Sequence, residues 1–157
     1  NIYNSKKGLA LKPVKYITVE EVYDCYYRYY YLPAGCDTLP PATSFVNFDT
    51  SVNFGVGGAK KLLLKTLKNE KLPILSNKQD AKLDNLIQKS QEDSLNSSAQ
   101  RKVARIDTID KHLALKYVNV RIARRYEIVK YNEKKRKFLN GWLWRDNQIG
   151  VIIEEFY

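Results

Sequence analysis

The hydrophobic positions of this chain change period twice, and the changes mark its segments. Thr18-Val19-Glu20-Glu21 has the form of a capping box, with a hydroxyl and a carboxylate placed to satisfy each other's backbone amides. The helix it opens is predicted to run to about Tyr31 and to stop ahead of Leu32-Pro33. Val19, Val22, Tyr23, Tyr26 and Tyr30 follow a three-four spacing, while Tyr27, Tyr29 and Tyr31 fall off that stripe, so aromatic surface wraps the helix. A loop over residues 32–44 follows, punctuated by Pro33, Gly35, Pro40 and Pro41. Beyond it the period turns to two. Val46, Phe48, Val52, Phe54 and Val56 alternate with Asn47, Asp49, Ser51 and Asn53, which predicts two short strands turned at Asp49-Thr50-Ser51.

The helical period returns after Gly55-Val56-Gly57-Gly58, from about Ala59. Leu62, Leu63 and Leu67 take the inner side, Lys60, Lys61, Lys65 and Lys68 the outer, and Pro73 marks the end. Residues 76–100 are polar, with Leu83, Leu86 and Ile87 as an apolar foothold on a weakly amphipathic helix. Ala99, Val103, Ile106, Ile109 and Leu113 resume helical spacing. After about Tyr117 alternation reappears in Val118-Val120-Ile122 and Tyr126-Ile128. Asn140-Gly141, between Phe138-Leu139 and Trp142-Leu143-Trp144, is the strongest hairpin signal in the chain, and residues 149–156 supply a last strand. The fold expected is α+β: helical through about residue 115 with one short hairpin, then an antiparallel β-meander. The organisation expected is a basic arm at 1–16, a unit at 17–75 with the Tyr-rich helix, hairpin and basic helix, a polar connector at 76–100, and a basic helix plus meander at 101–157.

Composition changes this picture little. The 157 residues are 44% hydrophobic and 28% charged, as in an ordinary globular chain large enough to bury a core. No stretch approaches the roughly 20 apolar residues of a membrane-spanning helix, so no membrane insertion is expected. The chain starts at Asn1 and contains no methionine, which suggests a removed leader or a trimmed piece of a longer chain.

Charge changes it more. Residues 1–100 carry 13 Lys and Arg against 10 Asp and Glu, while residues 101–145 carry 14 against 4. The whole excess of +10 thus sits in one block of 45 residues, and a focused patch of one sign attracts a partner of the other. Arg101, Arg105, Arg121, Arg124, Arg125 and the run Lys134-Lys135-Arg136-Lys137 are the candidate contacts, interleaved with Tyr117, Tyr126, Tyr131, Trp142 and Trp144. Tyr26, Tyr27, Tyr29 and Tyr30 form a second candidate surface, because tyrosine joins a rigid apolar body to a polar tip.

Catalytic signals are sparse. His112 is the lone histidine, and Asp107 and Asp110, one turn apart, read as a solvated face rather than an acid–base pair. Gly57, Gly58, Lys60 and Lys61 at a helix start could cradle an anion, but the spacing is not that of a P-loop. Cys25 and Cys36 form no metal-binding pattern; they could bridge, but two free buried thiols are the first reading. No motif calls for a cofactor or a metal. The expectation is therefore a non-enzymatic structural or linker subunit of a large assembly (a virion, an organellar complex or an antenna-like particle) that docks acidic protein partners through the basic block and the Tyr-rich helix. An RNA-binding subunit of a ribonucleoprotein is the alternative, and a basic ribonuclease or toxin domain resting on His112 the second.

Overall fold

A computed structural model describes Gly8 and residues 13–70 and 97–157. The predicted basic arm falls mostly outside these residues, and the polar connector almost wholly so. After a single 3-10 turn at Val14–Tyr16, helix α1 spans Val19–Tyr26. A π-helical turn, Tyr27–Tyr31, continues it, and 3-10 turns at Leu32–Ala34 and Cys36–Thr38 lead into α2, Pro41–Phe54. Helix α3 spans Val56–Asn69, the long α4 spans Ser97–Tyr131, a 3-10 corner covers Glu133–Phe138, and α5 runs over Leu139–Phe156.

Every described element is helical, which overturns the α+β expectation: neither the hairpin in residues 46–54 nor the C-terminal meander exists. The reason is that the buried faces of these helices are partly polar. In α2, Thr43, Asn47, Thr50 and Ser51 are as buried as Ala42 and Val46. Counted as inner positions, they restore a three-four spacing; counted as outer ones, they leave an apparent alternation. The same holds in α4, where Asp110, Ala114, Tyr117, Val118, Arg121, Arg125 and Val129 make one buried stripe. Asn140-Gly141 lies in the first turn of α5, where burial of Asp146, Ile149 and Ile153 follows helical spacing.

The core joins Ala42 and Val46 of α2, Leu62 of α3, Ala114, Tyr117 and Val118 of α4, and Ile149 and Ile153 of α5. Helix α4 is the axis against which α2, α3 and α5 all pack. Two connections fix this arrangement. Gly55, at φ +75°, breaks the chain between α2 and α3 in a conformation that side chains disfavour. Asp110 of α4 caps α2 from outside: its carboxylate accepts from the amides of Ala42 (2.7 Å) and Thr43 (2.9 Å) and from the Thr43 hydroxyl (2.5 Å). Helix α2 opens with Pro40-Pro41 and has no side-chain cap from its own N-cap residue, so a carboxylate 67 and 68 residues away meets its amides and its positive dipole end. Asp107 and Asp110 thus do not share a solvated face.

Candidate functional site

The capping box that opens α1 is formed: the Glu21 amide donates to the Thr18 hydroxyl (3.3 Å) and the Thr18 amide to the Glu21 carboxylate (2.9 Å). It fixes the start of an aromatic array. In the π turn the backbone widens, and Tyr27 and Tyr31 come to stack with ring centroids 5.5 Å apart. Tyr26 and Tyr30 sit 5.6 Å apart one step round. Phe48 of α2 meets Tyr31 and Tyr26 edge-on, at 5.7 and 6.2 Å. The π turn and the two 3-10 turns after it are tied to α2 by side-chain hydrogen bonds: Ser51 to the Tyr30 carbonyl (3.3 Å) in the first, Asn47 to the Ala34 carbonyl (3.0 Å) and Ser44 to the Cys36 carbonyl (2.7 Å) in the others. Single-turn π segments recur at functional sites, and this one has both its rings and its backbone held.

The array encloses an open apolar groove of about 320 Å³, lined by Val22, Tyr23, Tyr26, Tyr27, Tyr31 and Phe48. Tyr23 is 74% exposed and Tyr27 52%. A second groove of about 380 Å³ lies against the first and shares Tyr31 and Phe48 with it. It adds polar groups, Ser44 and Asp37, and ends on the stacked pair Phe45–Tyr157 (6.3 Å). Asp37 is the one carboxylate in either lining.

The other concentration of chemistry is buried. Arg121, fully enclosed, donates to Asp49 (2.7 Å) and Asp146 (2.6 Å). Arg125 donates to Asp146 at 3.2 Å, and Arg145 donates to Asp49 from the half-exposed side. Arg125 lies between the rings of Phe54 (4.1 Å) and Trp142 (5.2 Å). Burial lowers its pKa from the ordinary arginine value, opposed by the hydrogen bond and charge of Asp146. With both carboxylates engaged by guanidinium groups, this cluster is a brace joining α2, α4 and α5 rather than a reactive centre.

The structure therefore divides the candidate residues. Tyr26, Tyr27 and Tyr30 gather with Tyr31 and Phe48, with Tyr29 half-buried beside them. Arg121 and Arg125 are withdrawn from any partner. Arg124 pairs with Glu127 (3.0 Å) and Arg136 with Glu133, whereas Lys134, Lys135 and Lys137 are exposed. The side chains of Arg101 and Arg105 lie outside the described residues. Gly57 and Gly58 fall in the first turn of α3, with Lys60 and Lys61 pointing to solvent; Gly58 is there because a Cβ would come within 2.9 Å of the Phe54 Cβ. His112 is exposed and meets Glu70 at 3.3 Å. Cys25 and Cys36 are free, and burial pushes the Cys36 thiol up to about 11. Sequence reasoning missed Phe48, Asp37 and the Phe45–Tyr157 pair. Phe45 and Phe48, three residues apart, become neighbours once residues 41–54 are read as a helix.

Residues 2–55 of the chain match the family model Glycosyl hydrolase 108. The match covers about a third of the chain, and every residue lining the aromatic groove lies within it. No curated protein and no solved structure matches the chain. Similarity to a family of hydrolases overturns the expectation of a non-enzymatic structural or linker subunit, and with it the virion and RNA-binding readings. An aromatic, solvent-open surface reads as a docking face from the sequence alone, but polymer-cleaving enzymes need such a surface as well.

Proposed function

We propose that this chain acts in the hydrolysis of glycosidic bonds and that its aromatic groove holds the sugar chain. The observation that carries this reading is the coincidence of the family match, residues 2–55, with the groove-forming segment. A pyranose ring has an apolar face of C–H groups and a polar rim of hydroxyls. The negative π-face of a tyrosine or phenylalanine suits the first, and its hydroxyl or a nearby Ser, Thr or Asp suits the second. The exposed rings of Tyr23 and Tyr27 offer the aromatic surface, and Asp37 in the adjoining groove offers a hydrogen-bonding partner for hydroxyls. Both grooves fall in the size range of small-molecule sites.

Glycosidases generally set two carboxylic groups about the scissile bond. The described grooves present one, Asp37, so the residues described account for holding a sugar chain and not for cleaving it. The test is release of reducing ends from a panel of polysaccharides. Tyr27→Ala combined with Tyr31→Ala should raise KM about tenfold or more, because each lost stacking contact is worth roughly 0.5–1.5 kcal/mol. No release from any polysaccharide, with no oligosaccharide binding at the groove, would overturn the reading.

A further inference from the structure

Helix α3 carries charge of one sign that the proposed function does not use. Its inner positions, Ala59, Leu62 and Thr66, are buried. On the opposite side of the cylinder Lys60, Lys61, Leu64, Lys65 and Lys68 fall on one exposed stripe. No acidic residue occurs anywhere from Val56 to Asn69. Lys65 leans on Glu127 of α4 at 3.4 Å, with both side chains still about half-exposed. Lys60, Lys61 and Lys68 meet no carboxylate among the described residues.

The lysines are gathered rather than scattered. Lys61, Lys65 and Lys68 line one open groove of about 380 Å³ together with Leu64 and Asn69. A neighbouring groove of about 290 Å³ shares Lys65 and Asn69 with it and adds Lys116, whose charge Glu70 offsets at 3.6 Å. Leu64, 43% exposed, is the one large apolar side chain on the stripe. Solubility asks for dispersed charge of both signs, and this face has only one.

We propose that the outer face of α3 adsorbs to a bilayer surface of anionic phospholipids. The choice of partner follows from the residue types. Protein interfaces are poor in lysine and rich in aromatic residues and arginine, and this stripe has neither an aromatic ring nor an arginine. Arginine is also the residue that grips a phosphate in fixed, bidentate geometry. Lysine is a hydrated point charge on a flexible stem, suited to a fluid layer of headgroups that offers no fixed geometry. Leu64, among the lysines, can dip below the headgroups while the ammonium groups stay among the phosphates. No described helix is long and apolar enough to cross a membrane, so the contact is adsorption and not insertion. The proposal stands apart from the glycosidase reading, because none of these residues lines the aromatic groove.

The experiment is co-sedimentation of the full chain with vesicles of phosphatidylcholine, with and without phosphatidylglycerol. The chain should partition onto the phosphatidylglycerol vesicles and not onto pure phosphatidylcholine, and binding should fall as salt rises. Each surface lysine contributes about fivefold to such partitioning. Replacing Lys60, Lys61, Lys65 and Lys68 with Gln should therefore weaken binding about a hundredfold or more, and Lys61→Gln alone about fivefold. Replacing Lys130, Lys134, Lys135 and Lys137 with Gln removes as many exposed charges from another part of the chain and should weaken binding far less. Thermal melts of both quadruple variants should match the unsubstituted chain, since surface charge changes move stability little. Equal losses for the two quadruple variants would assign the binding to net charge and overturn the proposal. So would absence of binding to the phosphatidylglycerol vesicles. Binding of soluble polyphosphate but not of vesicles, abolished by the α3 substitutions, would make the partner a free phosphate polymer and overturn it as well. Vesicle binding by a chain that hydrolyses no polysaccharide would leave the α3 face intact and remove the glycosidase reading alone.

Discussion

Arg121 Nη2 stands 2.6 Å from the Asp146 carboxylate in a place where neither side chain reaches solvent. The same nitrogen also donates to Asp49, so one guanidinium joins the middle of α4 to both α2 and α5. Its Nε and Nη1 atoms, and Nη2 of Arg125, find no acceptor among the described residues. The brace is thus expensive to break from either side, since removing a carboxylate strands a buried charge. Asp146→Ala should destabilise the chain by about 3–5 kcal/mol in chemical denaturation. A cost near that of an ordinary surface substitution would show that the brace is weaker than its geometry.

Asp110 caps a helix it does not belong to. Asp110→Ala leaves the Ala42 and Thr43 amides and the Thr43 hydroxyl without their acceptor inside the protein. The expected loss is about 1–3 kcal/mol. Amide hydrogen exchange should localise it, speeding first at residues 42 and 43.

Two neighbouring glycines should respond in opposite directions. Gly58→Ala drives a Cβ to within 2.9 Å of the Phe54 Cβ at the corner between α2 and α3. Overpacking of that kind costs roughly 1–3 kcal/mol. Gly57→Ala meets nothing within 4 Å in the same helical turn and should stabilise by about 0.5–1 kcal/mol. Thermal melts of the two single variants settle the point, and equal shifts would refute the close approach.

Burial holds the Cys36 thiol neutral and raises its pKa to about 11, from 9.0. A pKa raised in the folded state means that the stability it reflects is complete below the unfolded value and is lost as pH climbs through the folded one. The buried Tyr117 hydroxyl, which lies 3.0 Å from Asn47 Oδ1 and 2.9 Å from the Ala59 carbonyl, is shifted upward by burial as well. Unfolding free energy should therefore fall as pH rises from about 9 to about 11, and Cys36→Ala should flatten part of that slope. At pH 8, iodoacetamide should label the half-buried Cys25 well before Cys36.

By itself, the sequence determined what depends on neighbours along the chain. The capping box at Thr18, the aromatic wrap of residues 23–31, the break at Gly55 and the amphipathic lysine helix that follows it were all legible, because caps, turns and stripes are local. The charge excess was legible too, as a total. Only the tertiary structure decided which charges are free. Arg121 and Arg125 look like surface residues until Asp49 and Asp146, distant in sequence, arrive to neutralise them. Those same buried ions, with Thr43, Asn47 and Thr50, hid the helices. Periodicity equates polar with exposed, and here long-range partners made polar side chains part of the inside.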